Sequence, residues 1–499
     1  MSEPTSAATG NVPAPSHEPL LPGATPHHVP GHGVPFREIN VPGRKKRTLP
    51  HATLYYAERP KNVGSKLENA LNKQSAESQR QGADVKTGSD ENSSDLPEST
   101  QTADGQADIA AAVEMEAAKR FRKTVLVIYN GGTIGMAPEP KLGGELAPMK
   151  GYLTHQMLTM SDLTEGSIPF FDVLEYDKLI DSSDMSAEDW VMLCKDIERF
   201  YYEYDAFVIA HGTDTMHYTA NALAFALRNL AKPVIITGSM VPLQEIYNDA
   251  RRNIKMSLLF AGHAQLCEVC ICFNDVLIRG TRALKINDNV AAFDSPNFPL
   301  LGKVTSAGIA VNRELLLRQP RGALQVQATF SDAVLCLTVT PGDCLTGALS
   351  LFKDVQKRDV KRDVAVGATG PETAAHYKAT RGNLPVQVLI LRLAGGDGGA
   401  AFPALPALKK LAEAVHAAGC LMVLTSAAPH GGFSRVARDH IARHAPHVLL
   451  LRDMTAEAAT VKAMLLLAHT ATKRRIAELM DSDLRGEVTV TDNLIDSHL

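Results

Sequence analysis

The sequence predicts an α/β protein whose larger, N-terminal part is built on a mostly parallel sheet with flanking helices. Three observations lead to this fold class. Apolar runs of strand length alternate with amphipathic stretches of helical length, as expected where crossover helices connect parallel strands. Two of these runs lead directly into turns that carry threonine. The alternation pauses near residues 319–327 and then resumes, which predicts a second, smaller α/β domain.

The elements of the larger domain follow from the spacing of apolar residues. A short helix of good helix formers precedes the first strand, and amphipathic helices separate the later strands. We predict strands at 124–129, 206–210, 234–237, 269–273 and 304–311, and helices at 109–122, 187–202 and 219–230.

The second domain repeats this alternation on a smaller scale. We predict strands at 333–340, 386–393, 420–425 and 447–451, and helices at 456–469 and 473–480. The resulting domain limits are a larger domain at 116–320, a linker at 321–332, a smaller domain at 333–487 and a tail at 488–499. Residues 353–383 are charged and rich in glycine and threonine, which indicates a surface insertion.

Residues 1–115 are predicted to form a disordered arm, because they are rich in Pro, Gly, His, Ser and charged residues and lack apolar periodicity. Within the arm, Arg-Lys-Lys-Arg at 44–47 is either an import or docking signal or, as we favour, a short solvated basic run. His27, His28 and His32 give only a weak indication of metal binding.

The overall composition favours a water-soluble protein that acts on small molecules. Of 499 residues, 45% are hydrophobic and 21% are charged, and the formal net charge of -4 gives no reason to expect a nucleic-acid or membrane partner. No stretch approaches the roughly 18 consecutive apolar residues of a membrane-spanning helix. The first residues also lack a signal-peptide pattern, so we expect a cytoplasmic protein.

The seven cysteines are odd in number and spread along the chain, which indicates reduced thiols rather than a disulfide framework. The spacing of Cys267, Cys270 and Cys272 allows a metal site as one interpretation. They lie in a β-prone run without a second ligand cluster nearby in the sequence. Burial in a strand is therefore the interpretation that we favour.

Two turns present threonine hydroxyls at strand ends. Asn130-Gly-Gly-Thr-Ile-Gly135 is compatible with a phosphate loop, although it lacks GK[ST] and the full GxGxxG spacing. Its glycines also leave room for a substrate and for backbone donors to an oxyanion. His211-Gly-Thr-Asp-Thr-Met216 follows another strand. Because the carboxyl ends of parallel strands face one crevice, Thr133 and Thr213 are predicted to meet there.

A threonine hydroxyl is a poor nucleophile until a base removes its proton. Lys285 is the candidate base, because it follows a predicted strand that ends at the same crevice. A solvated lysine with a pKa of about 10.4 is almost fully protonated at pH 7, so burial or positive neighbours must lower the pKa. An ordinary surface lysine is the alternative interpretation.

Two further polar segments have structural explanations of their own. Asp181-Ser-Ser-Asp-Met185 leads into a predicted helix, and its serines and aspartates are typical of helix caps as well as of a binding site. His211 stands before a turn, and a lone histidine there more often orders the turn than catalyses a reaction. We therefore place His211 outside the candidate catalytic set.

Taken together, these segments resemble the bacterial-type L-asparaginases, and specifically their cytosolic type I branch. The resemblance covers about residues 124–487 and implies the two-domain asparaginase-like fold. The segments that carry it are Asn130-Gly-Gly-Thr-Ile-Gly-Met136, Asp181-Ser-Ser-Asp-Met185, His211-Gly-Thr-Asp-Thr-Met216, Ile236-Thr-Gly-Ser239, Lys285, Asp453-Met-Thr-Ala-Glu-Ala458 and Leu484-Arg-Gly-Glu487.

The resemblance implies hydrolysis of L-asparagine to L-aspartate and ammonia through a covalent acyl-threonine intermediate, without a metal or an organic cofactor. Thr133 is the implied nucleophile. Thr213 and Lys285 are the implied proton-handling pair, and Asp214 completes the catalytic set. The family's sites lie at subunit contacts, which implies a homodimer or homotetramer.

Substrate binding is implied for four residues of the same segments. Thr213 and Asp214 contact the substrate, and Asp214 holds its α-ammonium group, while Ser182 and Ser183 bind its α-carboxylate end. Charge-assisted hydrogen bonds of this kind suit a small polar zwitterion. Glutamine has one more methylene, which pockets separate by only about 1 to 3 kcal/mol, so some glutaminase activity remains compatible with the site.

The chain departs from the family pattern at several positions. Some members place a tyrosine near the nucleophile where this chain has Leu146, and a glycine-rich loop that ends in Asn is replaced by Gly395-Gly-Asp-Gly-Gly399. Some relatives also bind asparagine at an activating site through Arg, Thr and Cys. Arg392 matches the first of these, but Leu284 and Ala427 replace the others, so we predict weak or absent activation by substrate.

Three other functions remain as alternatives. Asparaginase-like domains occur in transfer-RNA amidotransferase subunits and in proteins described as lysophospholipases, but the sequence shows neither a basic RNA-binding stripe nor a GxSxG nucleophile elbow. The third alternative is a non-catalytic asparagine sensor or scaffold. A nucleophile together with its base argues against it, because binding alone requires neither.

Overall fold

Two sheets organise the part of the chain that can be described. The computed structural model describes residues 45–57, 122–139, 143–163, 167–263, 265–340, 345–353, 386–394, 405–470 and 472–489. The strands are, in chain order, Lys46–Thr48 (β1), Ala52–Tyr56 (β2), Thr124–Gly131 (β3), Met136–Glu139 (β4), Glu145–Pro148 (β5), Phe170–Ile180 (β6), Ala206–Ala210 (β7), Leu227–Arg228 (β8), Val234–Thr237 (β9), Val269–Phe273 (β10), Val276–Arg279 (β11), Leu284–Lys285 (β12), Phe293–Asp294 (β13), Gly302–Thr305 (β14), Gly308–Val311 (β15), Gln325–Val326 (β16), Val334–Thr338 (β17), Val388–Leu393 (β18), Leu421–Ser426 (β19) and Val448–Leu450 (β20).

The helices connect these strands and cover the sheets. They are Tyr152–Thr159 (α1), Ala187–Phe200 (α2), Met216–Ala226 (α3), Ala250–Ala261 (α4), Leu405–Ala417 (α5), Arg435–His444 (α6), Ala456–His469 (α7) and Lys473–Asp481 (α8). Residues 345–353 are also helical. Within the described ranges, every helix is too short or too polar to serve as a membrane-spanning segment.

The first sheet has ten strands in the order β1-β2-β6-β3-β7-β9-β10-β11-β14-β15. Its centre, from β6 to β10, is parallel, and the strands on both sides of that centre pair antiparallel. Central strands are apolar on both faces because helices cover both. Leu126 and Ile128 of β3 pack with α2 and α3 on one face, whereas Val125 and Val127 pack with α1 and α4 on the other.

The second sheet has four parallel strands in the order β17-β18-β19-β20. Helix α7 packs against both sheets, because Val461 and Leu465 belong to the core of the first and Ala459 and Leu466 to a core of the second. Apolar residues on more than one face of a helix are expected where the helix is buried between two layers. Helix α7 therefore contributes side chains to a core of each sheet.

These elements confirm the predicted α/β fold class and most predicted strands. The strands predicted at 206–210, 234–237 and 269–273 have those limits, and so does the helix predicted at 456–469. Residues 304–311 differ, because Gly308 has φ 108 and turns the chain, so that β14 and β15 form a hairpin instead of one strand. Cys267, Cys270 and Cys272 are buried at or within β10, as favoured from the sequence.

The prediction that residues 1–115 form a disordered arm is wrong for residues 45–57. Strands β1 and β2 form a hairpin, and β2 pairs antiparallel with β6. Leu49 and Leu54 are buried in the first sheet's core, and His51 Nε2 lies 2.9 Å from the buried Asp196 Oδ2. Burial of each leucine contributes about 1.5–3 kcal/mol, which orders a short polar segment that shows no periodicity of its own.

Strand β6 is the longest strand that was not predicted from the sequence. It contains the buried carboxylates Asp172 and Glu175, which break the apolar pattern of a central strand. Both are satisfied by distant partners, because Asp172 accepts hydrogen bonds from the amide of Ala57 and the hydroxyl of Tyr204, and Glu175 accepts one from the amide of Gly151.

Several predicted features lie outside the described residues. They are the helix at 109–121, residues 354–383 of the surface insertion, the glycine-rich loop at 395–399, the histidines at 27, 28 and 32, and the tail from residue 490 onward. The basic run at 44–47 is described from residue 45, where its side chains are exposed along β1.

Candidate active site

Glycine contacts join three loops at the carboxyl edge of the first sheet. A Cβ atom added at Gly131 would lie 2.1 Å from the carbonyl oxygen of Ile180, at the end of β6. A Cβ at Gly132 would lie 2.4 Å from Cα of Gly212, in the loop after β7. Both positions have positive φ, 134 and 88. Only glycine permits this approach, so the loops that carry Thr133 and Thr213 touch backbone to backbone.

Thr133 follows these glycines directly and starts a 3-10 turn, Thr133–Gly135. The side chain is half-buried, unlike Ile134, which is in the core. The amide of Met149 donates to the carbonyl of Gly135, 3.1 Å away, and attaches the β4–β5 hairpin to the turn. Thr133 is therefore held on a rigid strand end with its side chain accessible.

Ser182 links the loop after β6 to the loop after β7. The Ser182 hydroxyl is buried and accepts a hydrogen bond from the amide of Asp214, 3.1 Å away. The hydroxyl of Thr215 donates to the Ser182 carbonyl, 2.6 Å away. Ser183 is exposed, and its hydroxyl donates to Asp181 Oδ1, 2.8 Å away. Ser182 thus fixes the backbone of Asp214, and Ser183 lies at the open side.

Lys285 reaches the same place from the other side of the cleft. Its Nζ lies 3.4 Å from Thr213 Oγ1 and 2.7 Å from Asp214 Oδ1. A third partner of Lys285 Nζ is Asp288 Oδ1, which lies 3.2 Å away and three residues later in the chain. The Lys285 side chain is only 14% exposed, against 57% for Asp214. The structure therefore brings Thr213, Asp214 and Lys285 together as the sequence predicted.

The pKa of Lys285 differs from the expectation. Burial lowers it, but the hydrogen bonds to Asp214 and Asp288 raise it more, so the pKa lies above its ordinary value. The expected lowering is therefore wrong for the chain without substrate. Asp288 was not among the predicted site residues, because the turn that brings it to Lys285 is not helical and the three-residue spacing therefore gives no signal for the pair.

Two histidines behind the site are uncharged near neutral pH. Burial lowers the pKa of His211 to about 4, and that of His217 to about 4 with a further contribution from Lys285. His211 Nε2 lies 2.9 Å from Thr219 Oγ1 and its Nδ1 lies 2.6 Å from the carbonyl oxygen of Gly212. His211 therefore orders the turn that carries Thr213, as the sequence analysis favoured.

Lys285 also lines a cavity of about 170 Å³. Leu284 and Arg392 line it together, and Arg392 Nη1 lies 3.6 Å from Glu457 Oε1. Ser426 and Ala428 line the cavity on either side of Ala427. Arg392, Leu284 and Ala427 are the positions that were compared above with the activating site of some relatives. Leu284 and Ala427 put apolar side chains where those relatives have threonine and cysteine.

Leu146 lies on β5, in the hairpin next to the Thr133 turn. It is 46% exposed. A leucine has no hydroxyl with which to contact Thr133. At the same sheet edge, two buried polar atoms have no hydrogen-bond partner, Asn130 Oδ1 and Ser239 Oγ. Position 146 of the hairpin therefore offers no proton donor or acceptor beside the Thr133 turn.

Comparison with known proteins identifies the family. The family model described as "Asparaginase, N-terminal" matches residues 124–317. The chain is 34% identical to L-asparaginase 1 of Escherichia coli K12 over 374 residues, which cover 74% of this chain and 99% of that protein. The chain belongs to the asparaginase family.

Two other similarities show how widely this asparaginase fold is used. The crystal structure of L-asparaginase I from Vibrio cholerae superposes with a TM-score of 0.61 at 30% identity and covers 74% of this chain and all of that one. The 60 kDa lysophospholipase of Mus musculus is 31% identical over 75% of this chain and 64% of its own length. The fold of this asparaginase family member is thus confirmed by a solved structure.

Proposed function

We propose that this chain hydrolyses L-asparagine to L-aspartate and ammonia, through an acyl intermediate on Thr133. The observation that carries the proposal is the contact of Lys285 Nζ with both Thr213 and Asp214, at 3.4 and 2.7 Å, on a loop that touches the Thr133 turn. A nucleophile and a base within reach of one small substrate is the arrangement that acyl transfer requires.

Asp214 has a different role before and after substrate binds. In the free chain its carboxylate raises the Lys285 pKa through a hydrogen bond. The α-ammonium group of asparagine carries the same charge as Lys285 and takes Asp214 as its partner. The carboxylate is then shared between two cations, so the pKa of Lys285 falls and its amine becomes able to accept a proton.

The reaction then proceeds in two steps. The Thr133 hydroxyl attacks the side-chain amide carbon, its proton passes to the departing nitrogen, and ammonia leaves. A water molecule attacks the resulting ester while the Thr213 and Lys285 pair accepts its proton, which releases aspartate and restores the Thr133 hydroxyl. Backbone amides of the glycine-rich turn are the donors available to the developing oxyanion.

Ser182 and Ser183 complete the substrate site in this proposal by holding the α-carboxylate. Ser183 is exposed, and its hydroxyl is free to exchange Asp181 for a substrate oxygen. Ser182 acts mainly through the Asp214 amide that it fixes. The α-ammonium and α-carboxylate groups of asparagine, which share one carbon, are thereby held side by side by Asp214 and the two serines, and this orients the amide toward Thr133.

The test is ammonia release from asparagine by the full-length chain, with glutamine as the second substrate. Preference for asparagine supports the proposal, and preference for glutamine indicates an amidase of the same fold with a different substrate. Binding of asparagine without ammonia release contradicts the proposal and supports a sensor or scaffold.

We further propose a homodimer or homotetramer that resides in the cytoplasm. The described cysteines are free thiols, which fits a reducing compartment. Sedimentation of the purified chain at several concentrations tests the oligomer, and a monomer at all concentrations contradicts it.

A further inference from the structure

The Lys285 ribbon is a short hairpin with little support of its own. We define it as residues 283–297, in which β12 and β13 pair through Leu284 with Asp294 and Lys285 with Phe293. Strands of two residues provide too few hydrogen bonds to be stable alone. Because Lys285 Nζ lies 3.4 Å from Thr213 Oγ1, at the long end of a hydrogen bond, a small displacement of the ribbon separates the pair.

Asp453 bonds to residues at both ends of this ribbon. Asp453 lies between β20 and α7. Its carboxylate accepts from Arg282 Nη1, 2.7 Å away, directly before the ribbon starts. Its backbone carbonyl accepts from Asn297 Nδ2, 3.1 Å away, where the ribbon ends. Asn297 Oδ1 also accepts from the amide of Gly431, 2.7 Å away.

Each nitrogen of the Arg282 guanidinium donates a hydrogen bond to a partner that is distant in sequence. Its Nε donates to the Gly486 carbonyl at 2.6 Å and its Nη2 donates to Thr489 Oγ1 at 3.3 Å. Thr489 in turn donates its amide to Asp453 Oδ1 at 2.9 Å, and its hydroxyl donates to Asp453 Oδ2. The side chains of Arg282 and Asp453 are 1% and 7% exposed, so water does not compete for these bonds.

The turn at residues 484–487, which supplies the Gly486 carbonyl, is held in place by its own hydrogen bonds. Gly486 has φ 75, which a residue with a side chain adopts only with strain. Glu487 fixes the turn by accepting from the amides of Leu484 and Arg485, and its carboxylate pairs with the buried Lys462 at 2.6 Å. The segment Leu484–Glu487, which the sequence analysis left without a role, thus presents one carbonyl to Arg282.

We propose that Arg282, Asp453 and Thr489 form a clamp that positions Lys285 for the reaction. This inference rests on the proposed function for its catalytic consequence, whereas the placement of Lys285 is testable without it. The three are positioning residues, because none of them contacts the substrate site. A misplacement of about 1 Å of a catalytic group lowers turnover about 100-fold, which sets the scale of the expected effect.

The experiment compares Thr489→Val with Thr489→Ser in the full-length chain. Valine keeps the shape but removes the hydroxyl that bridges Arg282 and Asp453, whereas serine retains it. The first readout is the rate at which an amine-acylating reagent modifies Lys285, measured by peptide mass spectrometry relative to the exposed Lys303 in the same molecules. The second readout is kcat and KM for asparagine.

We expect faster modification of Lys285 in Thr489→Val than in the wild type, together with a fall in kcat of about 10- to 100-fold and little change in KM. Thr489→Ser restores both. Asn297→Ala, which leaves no buried charge, reproduces the effect at the other end of the ribbon and serves if the valine variant folds poorly. Asp196→Asn is the control, because it weakens the bonds of a buried carboxylate to His51 and Tyr176 without changing a group of the clamp or the ribbon.

Equal modification of Lys285 in wild type, Thr489→Val and Asn297→Ala overturns the proposal, even if activity falls. Faster modification in Asp196→Asn also overturns it, because the effect is then a general loosening. A wild-type chain that releases no ammonia contradicts the proposed function alone, since the modification of Lys285 still tests the clamp.

Discussion

The two walls of the candidate site are built in different ways. Thr133 and Thr213 lie at the ends of neighbouring strands in the parallel centre of the first sheet. Their loops are in close backbone contact at Gly132 and Gly212. Lys285 stands on a two-residue strand outside that sheet and is placed by side chains from residues 453 and 489. One wall depends on backbone contact, and the other depends on a buried polar network.

The two walls are therefore expected to respond differently to substitution. Strand-end loops in a packed sheet tolerate little change, because any added atom at Gly132 meets backbone rather than a flexible side chain. A polar clamp allows graded change, because single hydrogen bonds can be removed while the core stays intact. Variants in the first wall are therefore expected to abolish activity, and variants in the second to reduce it.

The largest effect is expected from the threonines of the first wall. Thr133→Ala and Thr213→Ala each lower kcat for asparagine by at least about 10³-fold, because one removes the nucleophile and the other breaks the proton path. Thermal unfolding stays close to that of the wild type, since both are small changes at strand ends. Thr305→Ala, in the β14–β15 hairpin, is the matched control and retains full activity. Unchanged ammonia release in either site variant contradicts the assignment.

The backbone contact itself is tested by Gly132→Ala against Gly308→Ala. Both glycines have positive φ, 88 and 108, so each alanine introduces strain of about 1–3 kcal/mol. Only at Gly132 does the new Cβ meet an atom, whereas nothing lies within 4 Å of it at Gly308. We expect loss of activity in the first variant alone, and comparable activity in both variants rules out the contact as the cause.

A smaller effect is expected on stability at acidic pH, from His211 and His217. Their pKa values are about 4 in the folded chain against 6.5 as the ordinary value. The unfolded chain therefore binds more protons between these values, so stability falls as pH drops from about 6.5 toward 4, by up to about 3 kcal/mol for each histidine.

Urea unfolding of the wild type and of His217→Phe at several pH values measures this contribution. The phenylalanine keeps the ring that packs against Tyr218 and Phe293 but does not titrate. As the pH falls below about 6.5, the free energy of unfolding should decrease more in the wild type than in His217→Phe. A constant difference shows that His217 does not titrate as inferred.

The smallest effect concerns the cavity next to Lys285. Because Leu284 lines it and Ala427 follows Ser426 at its edge, asparagine has fewer polar partners there than an activating site requires. Velocity should rise hyperbolically with asparagine, and Arg392→Ala should leave the shape of the curve unchanged. A clearly sigmoidal curve would show that activation survives these replacements.

The sequence was sufficient where the information is local. Strands β3, β7, β9 and β10 are continuous apolar runs, and two of them end in the threonine turns that predict the site. Parallel topology then explains why the loops that carry Thr133 and Thr213 touch at Gly132 and Gly212, since strand ends of one sheet share an edge. The contacts of Lys285 with Thr213 and Asp214 agree with this argument.

The sequence was insufficient where distant partners decide the structure. Buried Asp172 and Glu175 made β6 look unlike a strand, because the groups that satisfy them come from β2, α1 and their neighbours. Residues 45–57 looked disordered because their order depends on pairing with that same strand. The pKa of Lys285 depends on Asp288 as well as on Asp214, and the geometry of the ribbon turn is not visible in a linear pattern.

The most direct test of the account is to identify the residue that a diazoketone analogue of asparagine alkylates in the full-length chain. Peptide mass spectrometry of the labelled protein should find the adduct on Thr133 in the wild type and no adduct at that peptide in Thr133→Ala. An adduct on Thr213, or labelling that persists unchanged in Thr133→Ala, contradicts the claim that Thr133 is the nucleophile.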